Sequence, residues 1–184
     1  MLPRQSPSSV ARARTTVHDG VVGTTKVATL NLTGDMRFAA SVGSGHSIVI
    51  DDGPDGDGPS PAELVGIALG GCSAMDVISI LRKKRQVVTS YEIRVTGLQR
   101  EEHPRAFIRF DVVHALEGDL DPAAVRRAIE LSARKYCSVG STLATGSPEV
   151  HHAYEIRTPD GEQRFEEVVV TGPNMTFEEM MAGA

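Results

Sequence analysis

An α+β fold is what this sequence predicts, on three observations. Residues 61–85, PAELVGIALGGCSAMDVISILRKKR, form one long apolar segment at helical spacing. Short alternating stretches bounded by turn residues lie on both sides of it and read as strand hairpins. A second helix start, Asp121-Pro122, opens an amphipathic stretch with Val125, Ala128, Ile129 and Ser132 on one face.

In chain order, Lys26–Leu32 alternates as a strand, Thr33-Gly34-Asp35 is a turn, and Met36–Val42 and His46–Asp51 read as two further strands. Asp52–Ser60 is an acidic loop in which Pro54 occupies a place where a calcium loop needs an oxygen ligand. Ser60 is placed to cap the long helix, Pro61 suits its first turn, Glu63 faces the positive end of its dipole, and Arg82 to Arg85 mark its exit into water. Leu64, Ile67, Gly71, Met75 and Ile78 make one apolar face, while Val65, Leu69, Val77, Ile80 and Leu81 make the other side apolar too. Such a helix needs cover all round, and a partner subunit is the expected cover. Gly70 and Gly71 in mid-helix imply a close approach to the backbone.

After the helix, Glu92–Thr96 and Phe107–Val113 predict a second hairpin. The helix from Pro122 runs on into ARKYCSVGST, where a new helix starting just after Tyr136 would put Cys137 at its N-terminus and lower the thiol pKa. Glu149–Arg157 and Phe165–Thr171 read as two more strands, followed by an acidic tail through Glu178 and Glu179. The expected organisation is a flexible arm over 1–20, one domain over 21–157 and an extension over 158–184.

Composition narrows the function. A chain of 184 residues with 40% apolar content can bury one core, and its net charge of −5 offers no attraction to phosphate backbones. Aromatic content of 4% without Trp argues against stacking platforms for single-stranded nucleic acid. Asp76 interrupts the only membrane-span candidate, and the N-terminus lacks a secretory pattern, so a cytoplasmic protein is expected. Two cysteines are not a disulfide framework.

Chemistry rests on those cysteines. Cys72 and Cys137, each leading a Ser-containing helical stretch, are candidates for a thiolate that attacks a peroxide O–O bond and a second thiol that condenses with the resulting sulfenic acid. The competing reading is two independent buried thiols acting as small hydrophobes. No metal is expected, because there is no CxxC and the pair His151-His152 would point to opposite faces of a strand. A Cys-His hydrolase with His46, His103 or His114 as base stays open, since nothing in the sequence orients any of them.

SPAELVGIALGGCSAMDVISILRKKR together with LSARKYCSVGSTL resembles the OsmC/Ohr family of osmotically inducible and organic hydroperoxide resistance proteins, over roughly residues 26–157. The resemblance implies an OsmC-like intertwined homodimer, with antiparallel sheets wrapped around long central helices and sites built from both subunits. It implies reduction of organic hydroperoxides with Cys72 as the attacking thiol and Cys137 as the resolving one, without metal or flavin, and with an external dithiol such as dihydrolipoamide as reductant. The chain departs from the family pattern at Ala62, where a Glu is expected ten positions before the first Cys; Glu63 is one step later. Arg37 is the candidate for the thiolate-stabilising arginine of an early strand, and Arg105 is a substitute at the head of the second hairpin. The alternative function is a redox-responsive protein that holds a lipid or acyl ligand at the dimer interface without turnover.

Overall fold

The computed structural model describes residues 15–18, 21–52, 56–146 and 149–172. Most of the expected N-terminal arm, Pro54, and the acidic tail with Glu178 and Glu179 lie outside these. The chain divides into two compact units, residues 1–64 and 65–184. The first unit has little core of its own, with every residue of one strand exposed and Ala40 and Ile50 as its buried hydrophobics among the described residues.

In the first unit, β1 (Thr15–His18) pairs antiparallel with β2 (Val21–Thr24), so part of the expected arm is a hairpin. A separate antiparallel sheet has the order β3 (Ala28–Leu32), β4 (Phe38–Val42), β5 (Ser47–Ile50), matching the three strands read from alternation. The long helix α1 (Pro61–Lys83) starts at a reciprocal cap. Backbone N–H and Oγ of Ser60 donate to Glu63 Oε2 at 2.7 and 2.8 Å, and the Glu63 N–H donates back to Ser60 Oγ at 3.3 Å.

The second unit carries the sheet β6 (Val87–Gln99), β7 (Phe107–Asp119), β8 (Glu149–Arg157), β9 (Gln163–Thr171), in that order. The hairpin strands run well past their expected ends. On β7 the buried face continues through Phe110, Val112, His114 and Leu116, and a histidine on the core face is what hides the alternation in the sequence. The β6–β7 and β8–β9 pairs are antiparallel, but β7 and β8 are parallel, a refinement of the antiparallel expectation. Parallel neighbours need a crossover, here α2 (Pro122–Leu131), a π-helical turn (Ser132–Tyr136) and α3 (Ser138–Ala144). Asp121 caps α2 by accepting from the Ala123 N–H at 2.9 Å. Within the expected extension, β9 forms the sheet edge and buries Val169 and Thr171.

The core has two apolar clusters. Val77 and Leu81 of α1 meet Leu116, Val125, Ile129, Tyr154, Ile156 and Val169, whereas Leu69 of α1 meets Phe110, Val112, Cys137 and Val150. The buried polar residues Ser73, His114 and His152 lie between these clusters along their own elements, and Ser132 is buried on the π turn beside Ser73. By length and composition α1 would also suit a membrane span, with Asp76 inside it, yet its Leu69, Ser73, Val77 and Leu81 side is buried in the protein core. Its Ile67 and Met75 are 60% and 73% exposed.

Only one of the paired glycines makes a close contact. A Cβ at Gly70 would lie 2.9 Å from Val95 Cγ2, so its absence lets β6 pack on α1, while Gly71 has nothing within 4 Å. Gly70→Ala is expected to destabilise by about 1 kcal/mol, as overpacking against a stiff valine outweighs the helix propensity gained. Adding Val95→Ala should cost less than the sum of the single changes, and urea unfolding of the four proteins measures that coupling.

Candidate active site

Cys72 is half-buried on α1, and Cys137 is buried at the junction of the π-helical turn and α3. Asp76 is one helical turn beyond Cys72 on the same face. The two sulfurs and an Asp76 carboxylate oxygen all lie within 4.8 Å of one another. The π turn positions the second half of this site. Its longer bonding step, Cys137 N–H to the Ser132 carbonyl at 2.9 Å, turns residues five apart toward one side, so that Ser132 and Cys137 both meet Asp76.

Cys137 is the N-cap of α3, and the Gly140 N–H donates to its Sγ at 3.2 Å. The helix start agrees with the sequence, but the expected fall in thiol pKa does not occur. Burial and a hydrogen bond to Cys72 push the Cys137 thiol up to about 12, against the lowering effect of the Gly140 amide. Cys137 therefore rests as a thiol. Burial also raises the Asp76 carboxyl above its ordinary range, partly offset by the hydrogen bond from Ser132.

Behind Asp76 runs a chain of polar groups. Ser132 Oγ donates to Asp76 Oδ2 at 3.2 Å, Ser73 Oγ is 3.3 Å from Ser132 Oγ, His114 Nε2 is 3.4 Å from Ser73 Oγ, and Tyr91 OH is 2.6 Å from His114 Nδ1. Proton counting fixes its direction. Ser132 gives its only proton to Asp76, so Ser73 must donate to Ser132 and His114 must donate from Nε2. Burial and the neighbouring His152 depress His114 to about 3, so the imidazole is neutral and its Nδ1 accepts from Tyr91. Every hydrogen in the chain points toward the carboxylate.

His114 thus sits two hydroxyls away from Asp76 rather than on a cysteine. His151 and His152 do face opposite ways: His151 meets Glu149 and Glu167 at 3.1 and 3.4 Å, while both ring nitrogens of buried His152 lack a partner. Its ring stacks on His114 with centroids 6.0 Å apart.

The other expected site residues make the following contacts. Glu63 is committed to the α1 cap, and Arg37, in the first unit, pairs with Asp51 and Asp57 at 3.0 and 2.7 Å. Arg105 is exposed in the β6–β7 loop with φ 55, its carbonyl accepting from Gln99. Sequence reasoning missed Asp76 as a site group, although a lone carboxylate four residues after the first Cys in an apolar helix was the available signal. Among the described residues, Cys72, Asp76 and Cys137 are also the grouping with metal-binding donor types, one donor short of a closed four-ligand set.

The buried histidines make stability depend on pH. Burial and His151 lower His152 to about 4, and His114 is at about 3, so between those values and the unfolded pKa of about 6.5 the unfolded chain binds more protons. Stability should fall as pH drops below about 6.5, by up to about 1.4 kcal/mol per pH unit for each histidine, with raised Asp76 acting in the opposite sense. Urea midpoints at pH 7, 6 and 5 should show the decline, and His152→Leu should roughly halve its slope.

The family described as OsmC-like protein matches residues 54–153, a span holding both cysteines and Asp76. The protein YhfA of Escherichia coli strain K12 is 44% identical over 122 residues, covering 66% of this chain and 90% of its own. The crystal structure of a hypothetical protein from Aquifex aeolicus VF5 is 29% identical, with a TM-score of 0.66, covering 73% of this chain and 97% of that one. The fold alone is shared with an OsmC-like protein from Mycoplasma pneumoniae, at 14% identity and a TM-score of 0.63 over 73% of this chain and 96% of that one. With more than half of its length matched and the sheet, helices and cysteine pair in place, this chain belongs to the OsmC-like family.

Proposed function

We propose that this protein is a thiol-dependent peroxidase that reduces organic hydroperoxides through Cys72 and Cys137. The observation that carries the reading is the meeting of two thiols in unlike settings, one half-buried and one buried, with sulfurs within 4.8 Å. Membership of the OsmC-like family supports a redox role. Cys72 sulfur attacks the peroxide, the O–O bond breaks, an alcohol leaves, and Cys72 becomes a sulfenic acid. Cys137 then attacks that sulfur, water leaves, and a disulfide forms, which needs only a short closure from the present separation. An external dithiol of the dihydrolipoamide kind restores both thiols by exchange. Leu69, Phe110, Val112 and Val150 beside the cysteines favour an apolar peroxide over hydrogen peroxide.

The protein acts as a homodimer on this reading, because the exposed Ile67 and Met75 leave an apolar stripe on α1 for a second copy to cover. Met75→Asp is expected to shift the sedimentation coefficient from dimer to monomer; a wild-type monomer at micromolar concentration would contradict the assembly.

Loss of cumene hydroperoxide, followed with dihydrolipoamide as reductant and beside hydrogen peroxide, tests the activity. Cys72→Ser should abolish turnover. Cys137→Ser should halt after one oxidation and leave a sulfenic acid that dimedone labels. Peroxide consumption that survives loss of Cys72 would refute the assignment, and a wild-type protein with intact thiols and no turnover would favour a ligand-holding role.

A further inference from the structure

Building on the thiol-peroxidase reading, we infer that Asp76 carries the protons of both thiol steps, as base toward each sulfur and as acid toward each leaving oxygen. Three observations meet at this residue. Its carboxylate is within 4.8 Å of both sulfurs, it is one turn from Cys72 on a single helix, and Ser132 Oγ donates to it at 3.2 Å. The hydrogen-bonded chain from Tyr91 through His114, Ser73 and Ser132 ends on this carboxylate and on neither cysteine. A buried polar layer directed at one carboxylate beside two thiols locates proton exchange there.

The protons balance through the cycle. Asp76 takes the Cys72 thiol proton, and the thiolate attacks the hydroperoxide oxygen that becomes the sulfenic hydroxyl. As the O–O bond breaks, the departing alkoxide receives the proton from Asp76 and leaves as alcohol. The carboxylate, ionised again, takes the Cys137 thiol proton. That thiolate attacks the Cys72 sulfur, the S–O bond breaks, and the hydroxide leaves with the same proton as water. One hydroperoxide and two thiols have become one alcohol, one water and one disulfide. Because burial holds Cys137 firmly protonated, the second step in particular needs a base at hand. Burial raises the Asp76 carboxyl, which favours its proton-bearing form for the transfer to each leaving oxygen.

Two electrophiles separate this role from a structural one. Iodide leaves iodoacetamide without a proton, whereas an alkoxide leaves a hydroperoxide only with one. In Asp76→Asn, the single-turnover rate with cumene hydroperoxide should fall about 100-fold at pH 7, while alkylation of Cys72 by iodoacetamide stays within a few-fold of wild type or rises. Sulfenic acid at Cys72 should also persist long enough for dimedone labelling. An unchanged peroxide rate overturns the proposal and leaves the peroxidase reading standing. Equal losses with both electrophiles mean a structural role and overturn it as well. A wild-type protein that iodoacetamide alkylates but hydroperoxides do not oxidise overturns the peroxidase reading and this proposal together.

Ser132→Ala is the second variant, useful even where Asp76→Asn does not fold. The groups that face Asp76 are Cys72 on α1, Cys137 at the start of α3, Ser132 on the π turn and Tyr91 on β6, with neutral His114 of β7 behind Ser73. Among the described residues it is the Ser132 bond that stabilises the ionised carboxylate, so its loss should move the acid limb of the peroxide rate profile to higher pH while the iodoacetamide profile keeps its position. No shift in that limb overturns the role of Asp76.

Discussion

A half-buried carboxylate held beside two thiols at the edge of an apolar core is the constraint on which the rest of this structure depends. Such a group is costly to bury unless its hydrogen-bonding capacity is met. The fold meets it with one layer of polar side chains, Ser73, His114 and Ser132, each placed between apolar neighbours on its own element. The consequence is a core in two clusters, with the reactive groups at the seam. Directional hydrogen bonding fixes the histidine tautomer and the carboxylate position together, so a loss at any link disturbs the others.

The cysteine pair shows which electrostatic effect wins in this setting. A helix N-terminus favours a thiolate by roughly 0.3–1 kcal/mol at exposed sites. Desolvation of a buried thiol and a neighbouring sulfur act oppositely and more strongly, and Cys137 ends well above its ordinary range. The two thiols therefore differ in setting, Cys72 half-buried and Cys137 buried and held as a thiol. Beside that layer His152, buried in the core, has two ring nitrogens without a hydrogen bond among the described residues. Its neutrality supports that of His114, since a charge on either would be felt by the other at 6.0 Å.

Backbone irregularity assembles these groups. In a continuous α-helix Ser132 and Cys137 would point well apart, and the π turn between α2 and α3 brings both to Asp76. Gly70 lets β6 approach α1 near the cysteine, with Val95 where a Cβ would be.

By itself the sequence determined the elements whose signals are local. The cap at Ser60 and Glu63, the proline starts of α1 and α2, the turn after Leu32 and the alternation of β3 to β5 are written in neighbouring residues, and two long motifs carry the family. Cys72 and Cys137 were legible as candidates because thiols are few and chemically distinctive. Only the tertiary structure decided that they meet, that Asp76 and Ser132 stand with them, and that burial overrides the helix terminus at Cys137. Those outcomes depend on contacts between residues far apart in the chain, on a π turn without a local signal, and on solvent exclusion. The same reason explains β7, whose buried His114 concealed the length of the strand, and Arg37, whose carboxylate partners Asp51 and Asp57 come from a later part of its unit. Periodicity reads which side of an element is buried, and packing decides what that side meets.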